Sequence, residues 1–192
     1  MAKAEKKAKI LKSETVFKGK VFEVKREELR EPSGIETTRE IIVHPGSVVA
    51  LPVFPDGRIL LIRQYRHAAG QSLWELVAGH KEPDETFAAG AQRELQEEAG
   101  YSAKKLKKLL EICPSPGLLG EKMEIYLAEG LTKVPARPED DEKITVRILP
   151  LAEALKWVRN GTIRDAKSVS GILYYASFVA AKRGFVRKSS RR

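Results

Sequence analysis

At 192 residues the chain has the length of one domain with additions and can bury a sizeable core. Its 42% hydrophobic and 32% charged residues exclude a fully disordered chain, and its single cysteine, Cys113, excludes an internal disulfide. The net charge of +9 averages unlike parts: residues 1–20 carry +5, residues 182–192 carry +6, and the 161 residues between them sum to −2.

The two ends, residues 1–13 and 183–192, read as basic, solvated and flexible tails. They hold few aromatics on which bases could stack, so no specific nucleic-acid partner is expected. No apolar run approaches the length of a membrane-spanning helix, so no membrane partner is expected either. The start, MAKAEKKAKILK, lacks the apolar core of a signal peptide. A cytoplasmic location is the expectation.

Residues 21–30 and 36–43 alternate polar and apolar around the turn signal Glu31-Pro32-Ser33-Gly34, which predicts a β-hairpin. A short strand is expected before it, near residues 15–17. Residues 48–54 and 58–64 read as apolar strands joined at Pro55-Asp56-Gly57 by a hairpin turn. Residues 67–72 form a loop and 73–77 a further strand. A helix over 86–99 is followed by strands at 104–112, 122–128 and 143–149. Between the first two of these, Pro114-Ser115-Pro116-Gly117 reads as a rigid loop. Helices are expected over 151–159, stopped by Asn160-Gly161, and from a cap at Asp165 onward. The order of strands, helix, strands and helices predicts an α+β design rather than βα repeats.

The helix at 86–99 carries the chemistry. Ala88, Ala91, Leu95 and Ala99 share one face. Asp84 or Thr86 can cap its start, and Gly90 inside it implies close backbone packing. Glu94 and Glu98 lie four apart and are neighbours, with Glu97 further round. Glu97 and Glu98 also occupy the last turn before Gly100, where the helix dipole disfavours anions. A divalent cation would relieve both the mutual repulsion and the dipole, and clustered carboxylate oxygens suit Mg²⁺ or Mn²⁺ rather than Zn²⁺. The bland alternative for such carboxylates is a solvated acidic face.

The surrounding stretch, GHKEPDETFAAGAQRELQEEAGY from Gly79 to Tyr101, resembles the Nudix box: a glycine, five residues, Glu85, seven residues, then REUxEExGU with U bulky and apolar. Every fixed position matches, and the last U is Tyr101. The resemblance implies metal-assisted attack by water on a diphosphate linked to another group. It implies Glu94, Glu98, Glu97 and the backbone carbonyl of Ala78 as metal ligands, Arg93 as the residue that orients the glutamates, and Glu85 in their outer shell.

Other segments resemble the ADP-ribose pyrophosphatase subfamily. Trp74 to Gly79, WELVAG, is similar to its WELPAG, and Pro116 lies fifteen residues past Tyr101, where that subfamily has its diagnostic proline. The QYR of residues 64–66 makes Arg66 a candidate diphosphate clamp, since a guanidinium makes paired bonds to phosphate. Arg39, in Thr38-Arg39-Glu40, resembles a residue meeting the ribose or phosphate end, and Glu121 is either structural or a ribose contact. On the acidic loop Glu139-Asp140-Asp141-Glu142, Glu142 stands where the subfamily's water-activating glutamate is expected, with Asp140 as the alternative.

The resemblance, over residues 15–180, implies a Nudix α/β/α sandwich over residues 46–182. It also implies an N-terminal antiparallel β-sheet over 14–45, commonly exchanged in a homodimer. Trp74 and Trp157 are expected in the core, Cys113 is expected to be buried, and His44, His67 and His80 have no metal-ligand spacing. The expected activity is Mg²⁺-dependent hydrolysis of ADP-ribose to AMP and ribose 5-phosphate. Its rivals are hydrolysis of another nucleoside diphosphate sugar, such as GDP-mannose, and a nucleic-acid-binding module that uses the basic tails.

Overall fold

The computed structural model describes residues 6–137 and 143–184. It divides into two compact units, one of residues up to 46 with 113–122, the other of 47–112 with the remainder.

The first unit is a three-stranded antiparallel sheet, β1 (Lys9–Lys18), β2 (Glu23–Arg30) and β3 (Glu36–Val43), in that spatial order. Opposite charges face each other across it. Arg26 stands opposite Glu40 at 2.8 Å, Arg30 opposite Glu36 at 2.5 Å, and Lys12 opposite Glu28 at 3.8 Å. Such pairs fix register more than they add stability. The predicted hairpin turn is present, with Gly34 at φ 93°.

Two expectations change in this unit. The first strand starts at Lys9, inside the stretch read as a tail, because its backbone pairs with β2 from Lys9 opposite Arg30 onward. Cys113 is exposed, not buried. It opens the segment 113–122, which is bound to β3 by Ile42 N–H donating to the Leu118 carbonyl at 2.9 Å and Gly120 N–H donating to the Ile42 carbonyl at 2.8 Å.

The second unit holds two sheets. One is mixed, in the order β7 (Val77–His80), β4 (Ser47–Pro52), β9 (Met123–Lys133), β8 (Tyr101–Ile112), with β4 and β9 parallel. The other is antiparallel, in the order β10 (Thr145–Pro150), β5 (Arg58–Arg66), β6 (Gln71–Glu75). Every residue of β4 is buried, as a central strand covered on both faces requires. Alternation along it explains the two layers. Val48 and Ala50 pack with Ala91, Leu95 and Ala99 of α1 (Phe87–Ala99), while Val49 and Leu51 pack with Ala154 of α2 (Leu151–Arg159) and Ile172 of α3 (Ala166–Tyr174). Helices therefore cover both faces, in an α+β sandwich.

The Pro55-Asp56-Gly57 turn forms, but it does not close a regular hairpin. β4 and β5 enter different sheets, and Val53 N–H bonds instead to the Ala128 carbonyl at 2.9 Å. The strand expected over 73–77 is likewise two strands. β6 pairs with β5, the fully buried Leu76 crosses over, and β7 pairs with β4. Trp74 and Trp157 both pack against the core, their ring centroids 5.4 Å apart. Among the described residues no helix is long and apolar enough to cross a membrane.

Candidate active site

Thr86 starts α1, its hydroxyl accepting from Ala89 N–H at 3.1 Å. From there the helix turns Gly90, Ala91, Leu95, Glu98 and Ala99 inward. Glu98 is the exception among these, a carboxylate only 4% exposed. Acidic residues are almost never so buried without partners, and Glu98 Oε2 accepts from the N–H of Ala78 at 3.0 Å. The crossing at Leu76 is what brings the start of β7 under the end of α1.

Glu94 lies one turn earlier and packs on the backbone of Gly79. A Cβ at residue 79 would stand 1.8 Å from Glu94 Oε1, so any other residue there would displace that carboxylate. Gly90 does the same for Glu85: a Cβ there would meet Glu85 Oε1 at 2.5 Å and Val48 Cγ1 at 3.1 Å. The close packing expected at Gly90 is thus packing against a site carboxylate.

Arg93 ties the acids together. Its Nη1 donates to Glu94 at 2.7 Å and to Glu97 at 2.9 Å. Its Nη2 donates to Glu85 at 3.0 Å and to the His80 carbonyl at 3.0 Å, and its Nε donates to Glu85 at 3.2 Å. The bond from Arg93 holds the Glu85 carboxyl below its ordinary range. In return Glu85, ahead of Glu94 and Glu97, outweighs burial and raises the Arg93 guanidinium above its own.

A second ionic group forms where β5, β6 and α3 meet. Arg66 grips Glu75 side-on, Nε to Oε1 at 3.0 Å and Nη2 to Oε2 at 2.9 Å. Lys167 Nζ reaches Glu75 Oε2 at 2.5 Å and Asp165 Oδ2 at 2.9 Å. Sequence reasoning missed Glu75 and Lys167. Glu75 falls in a segment that reads as a strand, and nothing in the pattern sets Lys167 apart from a surface lysine in a first helical turn.

The structure therefore joins Glu85, Glu94 and Glu97 through Arg93 and sets Glu98 on Ala78 in the last turn of α1. Arg39, Pro116 and Glu121 belong to the first unit. There Arg39 bonds Thr37 at 2.8 Å and Glu31 at 2.7 Å, Pro116 is exposed, and Glu121 is buried with its carboxylate 3.6 Å from His44. Glu142 and Asp140 lie outside the described residues.

The donor set fits a hard divalent cation. It is oxygen only, three carboxylates within about one turn of helix, with room kept for Glu94 by a glycine. As the side chains stand, Arg93 rather than a third acid bridges them, and among the described residues no three His, Cys, Asp or Glu side chains converge as a ready-made metal site.

Known proteins resemble this chain over most of its length. The NUDIX domain model matches residues 43–170. An ADP-ribose pyrophosphatase of Bacillus subtilis (strain 168) is 37% identical over 168 residues, 86% of this chain and 91% of that protein. A methanol dehydrogenase activator of Bacillus methanolicus is 33% identical over 168 residues, with the same coverage of each. Among solved structures, an ADP compounds hydrolase superposes with a TM-score of 0.82 at 26% identity, covering 96% of this chain and all of that one. A matched domain that spans the whole carboxylate helix, and a relative 37% identical over 86% of the chain, place this chain in the Nudix hydrolase family.

Proposed function

We propose that the chain hydrolyses the pyrophosphate of ADP-ribose to AMP and ribose 5-phosphate, with Mg²⁺ and with Mn²⁺ as a substitute, in the cytoplasm. The observation that carries this reading is the carboxylate end of α1, Glu94 on Gly79 and Glu98 on Ala78, in a chain that also presents Arg66 in an ordered pose. The name of the Bacillus subtilis relative supports ADP-ribose as the substrate.

Family members typically use a divalent metal, which would neutralise phosphate oxygens and acidify a water when bound. Glu94, Glu98 and the Ala78 carbonyl would hold it, with Glu97 alongside. Arg93 and Glu85 keep those carboxylates ordered, so that little reorganisation is left for the reaction. Water oxygen forms a bond to one phosphorus and the P–O–P bridge breaks. Glu142, with Asp140 as the alternative, takes the water's proton. Arg66 clamps the diphosphate. Arg39, Pro116 and Glu121 are proposed substrate contacts carried by the first unit.

We also propose a homodimer built through the N-terminal sheet. All ten residues of β1 are exposed, among them Ile10, Leu11, Val16 and Phe17. Incubating the protein with Mg²⁺ and a panel of nucleotides tests the substrate. AMP and ribose 5-phosphate should accumulate fastest from ADP-ribose; faster release of a nucleoside monophosphate from GDP-mannose or another nucleotide sugar would overturn the choice.

A further inference from the structure

The fully covered carboxylate of Glu75 has no place in the metal chemistry, yet it gathers two cations. Glu75 is 1% exposed and Lys167 6%. An acid and a lysine so buried are rarely found without each other, and removing one strands its partner. The same cluster is fastened to the fold at both ends. Ser168, 0% exposed, accepts from Leu76 N–H at 2.7 Å and donates to Asp165 at 2.5 Å. Asp165 in turn caps α3 through Ser168 N–H at 3.0 Å.

Arg66 is the half-buried member, more open than Glu75 or Lys167. In the β5–β6 register Glu75 faces Ile62 and Arg66 faces Gln71, so the Arg66 side chain runs back along the sheet to reach Glu75. The side-on grip uses Nε and Nη2, one edge of the guanidinium, and thereby fixes where Nη1 points. Burial works against the Arg66 charge, but the bonds and attraction from Glu75 outweigh it, aided by the nearby charges of Glu98 and Asp165. Of the α1 carboxylates, Glu98 contributes to raising the Arg66 guanidinium.

We propose that Glu75, itself locked by Lys167, is a positioning residue that presets the Arg66 guanidinium to receive a diphosphate. The inference rests on the reading of Arg66 as the phosphate clamp. A long arginine side chain is costly to order at the moment of binding, and a partner that orders it in advance turns that cost into affinity. Lys167 holds the Glu75 carboxylate in place, which ties the clamp to the docking of α3.

The test uses ADP with Mg²⁺ as the binding probe, measured by calorimetry, and turnover of whichever nucleotide the wild type cleaves. Glu75→Gln should weaken ADP binding and raise KM about tenfold, the size expected of a lost charge-assisted pair. kcat should stay within about threefold, because only ground-state and transition-state binding alike is lost. Arg66→Ala should lose at least as much, and Arg66→Ala/Glu75→Gln no more than Arg66→Ala alone, since both remove one device. Where Glu75→Gln melts early, Glu75→Gln/Lys167→Met removes the stranded cation with the acid and should fold with the same weak ADP binding. Losses that multiply in the Arg66–Glu75 double variant, a Glu75 variant that binds ADP as the wild type does, or a wild type with no ADP affinity would each overturn the inference. A wild type that binds ADP but releases no AMP from ADP-ribose sinks the proposed substrate and leaves this assignment standing.

Discussion

Glu98 has two tasks that one atom can separate. Its Oε2 accepts the Ala78 N–H at 3.0 Å, a bond an amide oxygen can keep, while its charge is what a cation would use. Glu98→Gln should therefore leave the melting temperature within a few degrees yet cut kcat by at least about 100-fold, beyond what is usual for residues that only support metal ligands. Unchanged turnover in a folded variant would remove Glu98 from the metal site. Gly79→Ala gives the complementary result. Its new Cβ would sit 1.8 Å from Glu94 Oε1, so the carboxylate must leave its place. The expected outcome is a loss of Mg²⁺ affinity by titration, with about 1–3 kcal/mol of stability lost in urea unfolding. At this scale Glu94, Glu97 and Glu98 were legible because spacing puts them in the last turns of one helix, whereas Arg93, Glu85 and Ala78 came with the resemblance to the Nudix box. Glu75 and Lys167 were not, because their meaning lies in a contact 92 positions apart in sequence.

The elements were legible where a period or a turn residue marks them. The hairpin of β2 and β3 and the helices α1 and α2 stand where alternation, capping and Asn160-Gly161 put them. What the pattern did not carry was which strand joins which sheet. A mostly apolar run such as Leu73 to Ala78, interrupted by Glu75, reads the same whether it is one strand or two, and only the competition between β5 and β4 for its backbone splits it at Leu76. The helix α1 offers a test of how far local propensity yields to packing. In a bare helix Gly90→Ala should gain about 1 kcal/mol. Here the added methyl meets Glu85 at 2.5 Å and Val48 at 3.1 Å, and Val48 belongs to a fully buried strand that cannot give way. We expect a net loss of about 1–3 kcal/mol in chemical denaturation, accompanied by lower activity as Glu85 is pushed off Arg93. A Gly90→Ala protein more stable than the wild type would mean that Glu85 moves aside freely.

Across the whole molecule, the sequence was right that an antiparallel sheet precedes the box domain. It could not announce that residues 113–122 join that sheet's unit, because the two hydrogen bonds to Ile42 that bring them there are long-range. Nor did its basic start end where expected, since strand pairing with β2 extends to Lys9. That extension gives the homodimer proposal its physical basis. A ten-residue strand with no buried residue leaves Ile10, Leu11, Val16 and Phe17 between 42% and 55% exposed, with Ile35 at 62% on the adjoining hairpin. Exposed apolar side chains along an edge strand are an aggregation liability unless a second surface covers them. A second copy of the same sheet supplies one with the twofold self-complementarity that closed dimers use. Sedimentation velocity of the wild type at micromolar concentration should then give a dimer. Leu11→Glu/Phe17→Glu, which places like charges on that strand without touching the carboxylates of α1, should sediment as a folded monomer. If both subunits shape each substrate pocket, that monomer should also lose substrate affinity while its box helix keeps binding Mg²⁺. A wild type that sediments as a monomer would confine the exposed strand to some other partner, and a double variant that stays dimeric would move the interface off β1.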